Sequence, residues 1–129
     1  MSDLVLIDTS AWVEAFRTTG SPEIKNQVYL LIDEGKASWS EVIRLELWNG
    51  ARGAGELQFL RDMEQDSILN IHLLPTTPEI WKLADQMARQ ARQKGMTFPV
   101  ADLLIAACAR HYRTGFLHKD RHFEKIAML

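Results

Sequence analysis

The stretch that decides the fold is LVLIDTSAWVEAF, residues 4–16, in which four apolar residues lead directly into an acid and two hydroxyl residues. A short apolar run rich in branched side chains, like the first four of these residues, predicts a buried β-strand. Asp8, Thr9 and Ser10 are of the residue types that cap helices, and the residues after them favour a helix to the end of the stretch. The chain therefore begins with a strand followed by a helix.

Outward from this unit, short apolar runs continue to alternate with helix patterns along the chain. Further strands are predicted at 37–39, 71–74 and 115–118. Further helices are predicted between Pro22 and Gly35, over 41–49, over 55–66, from Pro78 to Gly95, over 100–112 and from near Asp120 onward. Strands that alternate with helices indicate an α/β fold with a central, mainly parallel sheet flanked by helices and right-handed crossovers.

Length and composition limit the classes of protein that this chain can be. Its 129 residues, of which 47% are hydrophobic, have the size of one domain with a single core. The formal net charge of −2 excludes the strongly basic type of nucleic-acid binder. Any contact with a nucleic acid must therefore be local.

The single cysteine and the start of the chain indicate where the protein works. Cys108 has no partner for an internal disulfide and lies in an apolar run, so we expect a buried structural thiol, in keeping with a reducing cytoplasm. The start lacks the features of a signal peptide, and the apolar runs are far shorter than the roughly 20 residues that span a bilayer. We therefore expect a soluble, cytoplasmic protein without a membrane contact.

Three of the 17 acids occupy positions where a ligand role and an ordinary structural role are both open. Asp8 follows the first strand at the sheet edge where α/β folds bind ligands, but it can equally cap the next helix. Asp102 lies in the first turn of an apolar helix, where the helix dipole favours a negative charge. Asp120 follows the last strand and can cap the terminal helix. Judged alone, Asp102 and Asp120 favour the structural role. For Asp8 the structural role and the ligand role are equally favoured.

Glu46 is harder to explain as an ordinary surface acid. It lies on the same helical face as Val42 and beside Leu45, so we expect it to be half-buried. A salt bridge to Arg44 or Arg52 is the alternative that would satisfy its charge without a ligand.

The predicted topology allows these four acids to meet. Strand ends and the starts of crossover helices lie at one edge of a parallel sheet, so all four side chains can face one cleft. Two carboxylates about 4 Å apart repel by roughly 4 kcal/mol at an effective dielectric constant near 20. Such a cluster requires protons or a cation, and a set of oxygen ligands favours Mg²⁺ or Mn²⁺ over zinc or copper.

Four short motifs follow one another along nearly the whole chain. They are DTS at 8–10 after an apolar strand, EL at 46–47 before Gly50, DLLIAA at 102–107 and KDRHF at 119–123. Together they resemble the successive motifs of PIN-domain nucleases, and most closely those of VapC-type toxins, which are small single-domain ribonucleases paired with an antitoxin. The resemblance implies a PIN-like three-layer α/β fold, with residues 1–129 forming one nuclease domain.

The resemblance also implies a site and a function. The four acids correspond to the set that binds Mg²⁺ or Mn²⁺ and catalyses hydrolysis of RNA phosphodiester bonds. Its members are Asp8, Glu46, Asp102 and Asp120. Asp8 and Asp102 are assigned as the main ligands. Ser10 corresponds to a polar residue that supports this set. The family further implies an endoribonuclease toxin of a type II toxin–antitoxin system, an antitoxin as partner and a homodimer.

Candidates for contacts with RNA or with a protein partner lie in the C-terminal segment and among the tryptophans. Lys119 and Arg121 flank the last of the four acids, and His118 stands where the family often has Thr or Ser. These side chains are candidate phosphate contacts, although a solvated basic helix face is the alternative. Trp12 and Trp48 are candidates to line a groove for an antitoxin helix or a dimer contact, although most tryptophans belong to a core.

Two other functions remain open. A receiver-type phosphoacceptor domain has a similar length and an acidic Mg²⁺ site, but it needs paired acids after the first strand and an acceptor Asp after the third. Here only Asp8 follows the first strand, and residues 71–75 contain no acid. The other alternative is a PIN fold that binds RNA or protein without catalysis, which the presence of all four acids argues against.

Overall fold

Strands and helices alternate throughout residues 3–65 and 69–129, the part of the chain that the computed structural model describes. The strands are β1 (Val5–Ile7), β2 (Ala37–Ser40), β3 (His72–Leu74) and β4 (Gly115–Leu117). The helices are α1 (Thr9–Phe16), α2 (Pro22–Asp33), α3 (Glu41–Gly50), α4 (Gly53–Glu64), α5 (Pro78–Gln93), α6 (Val100–Tyr112) and α7 (His122–Ile126). The predicted α/β class is confirmed.

The strands form one parallel sheet in the order β3-β2-β1-β4. β1 lies between β2 and β4, with Val5 opposite Ala37 on one side and Gly115 on the other. β2 and β3 are therefore added one after the other on one side of β1, and β4 is added on its other side. Open α/β sheets bind ligands where the strand order reverses in this way, beyond the carboxyl ends of the strands. In this sheet that place is where β1 and β4 end side by side.

Helix α6 lies in the core, as its nearly continuous apolar sequence predicts. All seven residues from Leu103 to Ala109 are buried, and α5 packs against this helix. Burial raises the pKa of the Cys108 thiol to about 12, which agrees with a structural thiol rather than a reactive one. Although α6 is apolar, no helix in the described part of the chain is long and apolar enough to cross a membrane.

Caps and glycines account for several helix ends. Ser40 caps α3 by accepting a hydrogen bond from the N–H of Ile43, as its position after a strand predicts. Gly35 and Gly95 follow α2 and α5 with φ angles of 69° and 73°. Only glycine adopts such angles at little cost, which explains why these two helices stop where the sequence predicts.

Two helix starts differ from expectation by a few residues. Helix α4 begins at Gly53 instead of residue 55, and its expected end at residue 66 lies outside the described residues. Helix α7 begins at His122, two positions beyond the expected start near Asp120. The reason is that Asp120 accepts the N–H of His122 in the turn before the helix.

The tryptophans are divided between the core and the surface. Trp12 and Trp39 are buried, so the prediction that Trp12 lines a groove is wrong: α1 packs against α2 and α3, and the Trp12 ring lies wholly within the core. Trp48 is half-buried and donates its indole N–H to Glu64 at 2.7 Å. Trp81 is the most exposed of the four, on the outer face of α5.

Candidate active site

Asp8 stands at the carboxyl end of β1 and is the N-cap of α1. It is only 4% exposed, and its Oδ2 accepts hydrogen bonds from the N–H of Ser10 at 3.0 Å and from the Ser10 hydroxyl at 2.6 Å. Burial raises the pKa of Asp8, whereas the hydrogen bonds from Ser10 oppose that shift. The predicted cap is confirmed, and it places a buried carboxylate at the sheet edge.

Ser10 also links the end of β1 to the segment after β4. Its Oγ accepts the backbone N–H of Lys119 at 2.9 Å. The ammonium group of Lys119 pairs with a carboxylate oxygen of Glu14 on α1, and this hydrogen bond lowers the pKa of Glu14. Lys119, a predicted phosphate contact, therefore already has an acidic partner within the protein.

Glu46 reaches the same edge from α3. Its Oε1 accepts a hydrogen bond from the Thr9 hydroxyl at 2.6 Å, and the residue is half-buried, as expected. The expected alternative, a salt bridge to Arg44 or Arg52, is absent from the described part of the chain. The Arg44 guanidinium instead lies 6.0 Å from the ring centre of Trp39. Glu46 is therefore held by α1 rather than by an arginine.

Asp102 and Asp120 approach one another through a histidine. Asp102 lies in the first turn of α6, and Asp120 follows β4. The Nδ1 atom of His122 is 2.8 Å from Oδ2 of Asp102 and 3.5 Å from Oδ1 of Asp120. The backbone N–H of His122 donates to the same Asp120 oxygen at 2.9 Å.

The four acids influence one another electrostatically. Burial is the main reason that the pKa of Glu46 is raised, and Asp8, Asp102 and Asp120 each raise it further. Asp102 likewise adds to the raised pKa of Asp8. Glu46 and Asp8 are thus harder to ionise, partly because the other acids are nearby. A divalent cation would remove this cost, so the residues present fit such an ion.

The two remaining candidates for RNA contact differ in their surroundings. The His118 ring packs against Phe116 and Phe123, with ring centres 5.2 Å apart in both pairs. Its Nδ1 is buried and has no hydrogen-bond partner within residues 3–65 and 69–129. Arg121 is exposed and forms no ion pair with those residues. Arg121 is therefore the more available cation beside the acids.

Comparison with protein families explains why acids from four elements meet here. A model of the PIN domain family matches residues 5–129. The chain belongs to the PIN domain family. Ribonuclease VapC11 of Mycobacterium tuberculosis is 33% identical over 129 residues, which cover 98% of this chain and 93% of that protein. Ribonuclease VapC18 of the same species is 29% identical over 127 residues, covering 95% and 87%.

Solved structures share the fold of this PIN domain. FitAcB from Neisseria gonorrhoeae has a TM-score of 0.76 at 20% identity and covers 98% of this chain and 94% of its own. VapBC2 from Rickettsia felis, solved with a DNA fragment from its promoter, has a TM-score of 0.74 at 21% identity and covers 98% and 95%. The predicted PIN-like fold is confirmed, and with it the resemblance to VapC-type proteins.

Two residues of the PIN domain contact the acids although the sequence did not predict them as part of the site. Thr9 binds Glu46, and His122 contacts Asp102 and Asp120. Both belong to motifs quoted from the sequence, DTS and KDRHF, and each is within two residues of one of the acids. A polar side chain within two residues of a motif acid is the sequence signal that identifies Thr9 and His122 as candidate site residues.

Proposed function

We propose that this PIN domain, with residues 1–129 as one nuclease unit, is a Mg²⁺- or Mn²⁺-dependent endoribonuclease of the cytoplasm. The observation that carries the proposal is a group of four carboxylates from separate elements near the reversal point of the sheet, in which Glu46 feels the charges of the other three and Asp8 feels that of Asp102. Relatives named as VapC ribonucleases along nearly the whole chain support the choice of RNA as substrate.

We assign Asp8 and Asp102 as the main cation ligands, with Glu46 and Asp120 completing the site directly or through water. When bound, Mg²⁺ or Mn²⁺ would activate a water for in-line attack on the phosphodiester and stabilise the charge on the leaving oxygen. Ser10 supports this arrangement, because its two hydrogen bonds fix the Asp8 carboxylate. Carboxylates held before substrate arrives need little reorganisation during the reaction.

The substrate must approach an acidic site, which repels RNA unless cations lie nearby. Arg121 is the candidate best placed to bind a phosphate, because no acid within the described chain occupies it. Lys119 can serve the same purpose only by exchanging Glu14 for the phosphate. His118 offers at most one ring nitrogen, since its Nδ1 is buried.

We also propose that the protein is the toxin of a type II toxin–antitoxin pair, with a protein antitoxin as partner and a homodimer as its assembly. The support is the likeness to VapC relatives and to structures solved as VapBC or FitAB complexes. A receiver-type function loses its support, since the family is PIN and no acid follows β3. A non-catalytic PIN module remains as the alternative that the experiment must separate.

The test is cleavage of structured RNAs by the purified, antitoxin-free chain with Mg²⁺, with Mn²⁺ and with EDTA. We expect cleavage with either cation, none in EDTA, and a loss of at least about a hundredfold in Asp8→Asn and in Asp102→Asn. Asn keeps the size of each acid, and at position 8 it can still cap α1, but it removes the charge. Asp85→Asn is the matched control, because Asp85 lies on the exposed face of α5 and, among the described residues, pairs with Arg89 alone.

The possible results separate the candidate functions. Cleavage that persists in EDTA or in Asp102→Asn would contradict the metal-dependent mechanism. RNA binding without cleavage in every condition would favour the non-catalytic module. Growth arrest on expression in a bacterial host, relieved by Asp102→Asn and not by Asp85→Asn, would support the toxin role.

A further inference from the structure

The side chain of His122 lies between two of the four acids. Its Nδ1 is 2.8 Å from Oδ2 of Asp102 and 3.5 Å from Oδ1 of Asp120. One donor atom from each of these three residues lies within 4.8 Å of the other two. An imidazole nitrogen and two carboxylate oxygens therefore face the same small volume.

These separations suit three ligands of one ion. When ligand atoms lie about 2.1 Å from a cation in octahedral geometry, neighbouring ligand atoms are about 3 Å apart. The two distances from His122 Nδ1 fall on either side of this value. The backbone thus already places the three donors in ligand range of one ion.

The surroundings of His122 limit the positions that its ring can take. The buried Phe98 ring lies edge-on to the imidazole, with ring centres 6.4 Å apart. His122 is also the first residue of α7, whose next residue, Phe123, is buried. Its side chain is 49% exposed, which leaves room for water beside the ring. A ligating histidine commonly gives its second ring N–H to such a water.

We propose that His122 is a nitrogen ligand of the cation that Asp102 and Asp120 bind, and that it makes this site prefer Mn²⁺ to Mg²⁺. The inference rests on the proposed function, since it takes a cation-binding acidic site as given. Mg²⁺ is bound almost entirely by oxygen, whereas imidazole is a good ligand for transition-metal ions. The sequence predicted an oxygen-only set of ligands, and the fold adds one nitrogen to it.

The alternative role for His122 is to orient Asp102 by a hydrogen bond without touching the ion. Electron spin-echo spectroscopy of the full chain loaded with Mn²⁺ separates the two roles, because it detects a nitrogen nucleus bound directly to the ion. We expect a nitrogen coupling in the wild type that is lost in His122→Asn. His111→Asn is the matched control, because His111 lies nine residues beyond Asp102 on α6, about 14 Å along the helix axis.

Calorimetric titration of the same proteins provides the second readout. His122→Asn should weaken Mn²⁺ binding by at least about tenfold, because a direct ligand is lost. The same variant should change Mg²⁺ binding by less than about threefold, since Mg²⁺ gains little from imidazole. His111→Asn should leave both affinities at their wild-type values.

The results also distinguish this inference from the proposed function. Bound Mn²⁺ without a nitrogen coupling in the wild type, or a coupling retained in His122→Asn, would overturn the ligand role. If that wild-type protein still cleaves RNA with Mg²⁺ and Asp102→Asn does not, the proposed function stands and only the role of His122 fails. A wild-type chain that binds neither cation contradicts both.

Discussion

The β1–α1 and β4–α7 junctions lie side by side at one edge of the sheet, yet they hold their acids differently. At the first junction, Asp8 is 4% exposed and its Oδ2 is bound by Ser10, two positions along the chain. At the second, the Asp120 side chain is 36% exposed, and its partner His122 also binds Asp102, 20 positions earlier. One junction is fixed by neighbours in sequence, and the other by a contact across the fold.

Because of this difference, we expect the carboxylate at the first junction to be held in place before a cation binds, and the groups at the second junction to rearrange when it binds. A buried carboxylate held by two local hydrogen bonds keeps its position whether or not a cation is present. Asp120 and His122 are more exposed, so they lose less when they exchange one partner for another. We infer that the first junction supplies a preformed ligand and that the second adjusts around the bound ion.

The largest effect on stability is expected from breaking the first junction with Ser10→Ala. The substitution removes the hydroxyl bond to buried Asp8 and the acceptor for the Lys119 N–H. Leaving such groups without partners should lower the free energy of unfolding by about 2 kcal/mol. Urea unfolding in EDTA, followed by circular dichroism, measures this change.

Ser21→Ala is the control for the loss of a serine that caps a helix. Ser21 caps α2 through one bond of 3.4 Å from the N–H of Ile24, and its removal should cost about 1 kcal/mol at most. Equal losses in the two variants would show that the first junction is no more than an ordinary cap.

A smaller effect is expected from pH, because burial and neighbouring acids raise the pKa of Asp8 and Glu46 above 3.8 and 4.5. In the window just above these ordinary values, the folded state binds more protons than the unfolded chain. Without a cation, the free energy of unfolding should therefore fall as the pH rises through that window.

Glu46→Gln tests the source of this fall, since Gln can still accept the Thr9 hydrogen bond but cannot ionise. Urea unfolding in EDTA from pH 4 upward should show a shallower fall for the variant than for the wild type. The same dependence on pH in both proteins would mean that the pKa of Glu46 is not raised in the folded state.

The smallest effect is expected at the exposed cations of the second junction. If Arg121 contacts a phosphate, Arg121→Ala should weaken RNA binding and reduce the slope of log affinity against log salt by about 0.7. Lys119→Ala should do less, because Lys119 is already paired with Glu14. Filter binding of RNA in EDTA over a salt series measures both slopes. Lys82→Ala on α5 is the control, and a slope reduced equally in this variant would assign the effect to bulk charge.

The same comparison shows how far the sequence predicts this molecule. The parallel sheet, the buried α6 and the Asp8 cap follow from patterns within a few residues, and each was predicted. Asp8, Asp102 and Asp120 follow from their place at strand ends and helix starts, Glu46 follows from its half-buried helical face, and the resemblance to PIN domains joins the four. In the structure, Glu46 lies near enough to the other three for their charges to raise its pKa.

The features that the sequence does not predict are contacts between segments that lie far apart along the chain. Thr9 binds Glu46 across 37 positions, and His122 binds Asp102 across 20. Such bonds depend on how α3 and α6 pack against the sheet, which local patterns do not determine. For the same reason, the sequence predicts Arg44 or Arg52 as the partner of Glu46, whereas in the structure its partner is the Thr9 hydroxyl.

The most direct test of the central claim, that the four carboxylates form one cation site, is the melting temperature with and without Mg²⁺ or Mn²⁺. A cation at a hundred times its dissociation constant should stabilise the wild type by about 2.7 kcal/mol and raise its melting temperature by several degrees. The double variant Asp8→Asn, Asp102→Asn should show no rise, and in EDTA it should melt at or above the wild-type temperature because repulsion is relieved. An equal rise in both proteins, or no rise in the wild type, would contradict the claim.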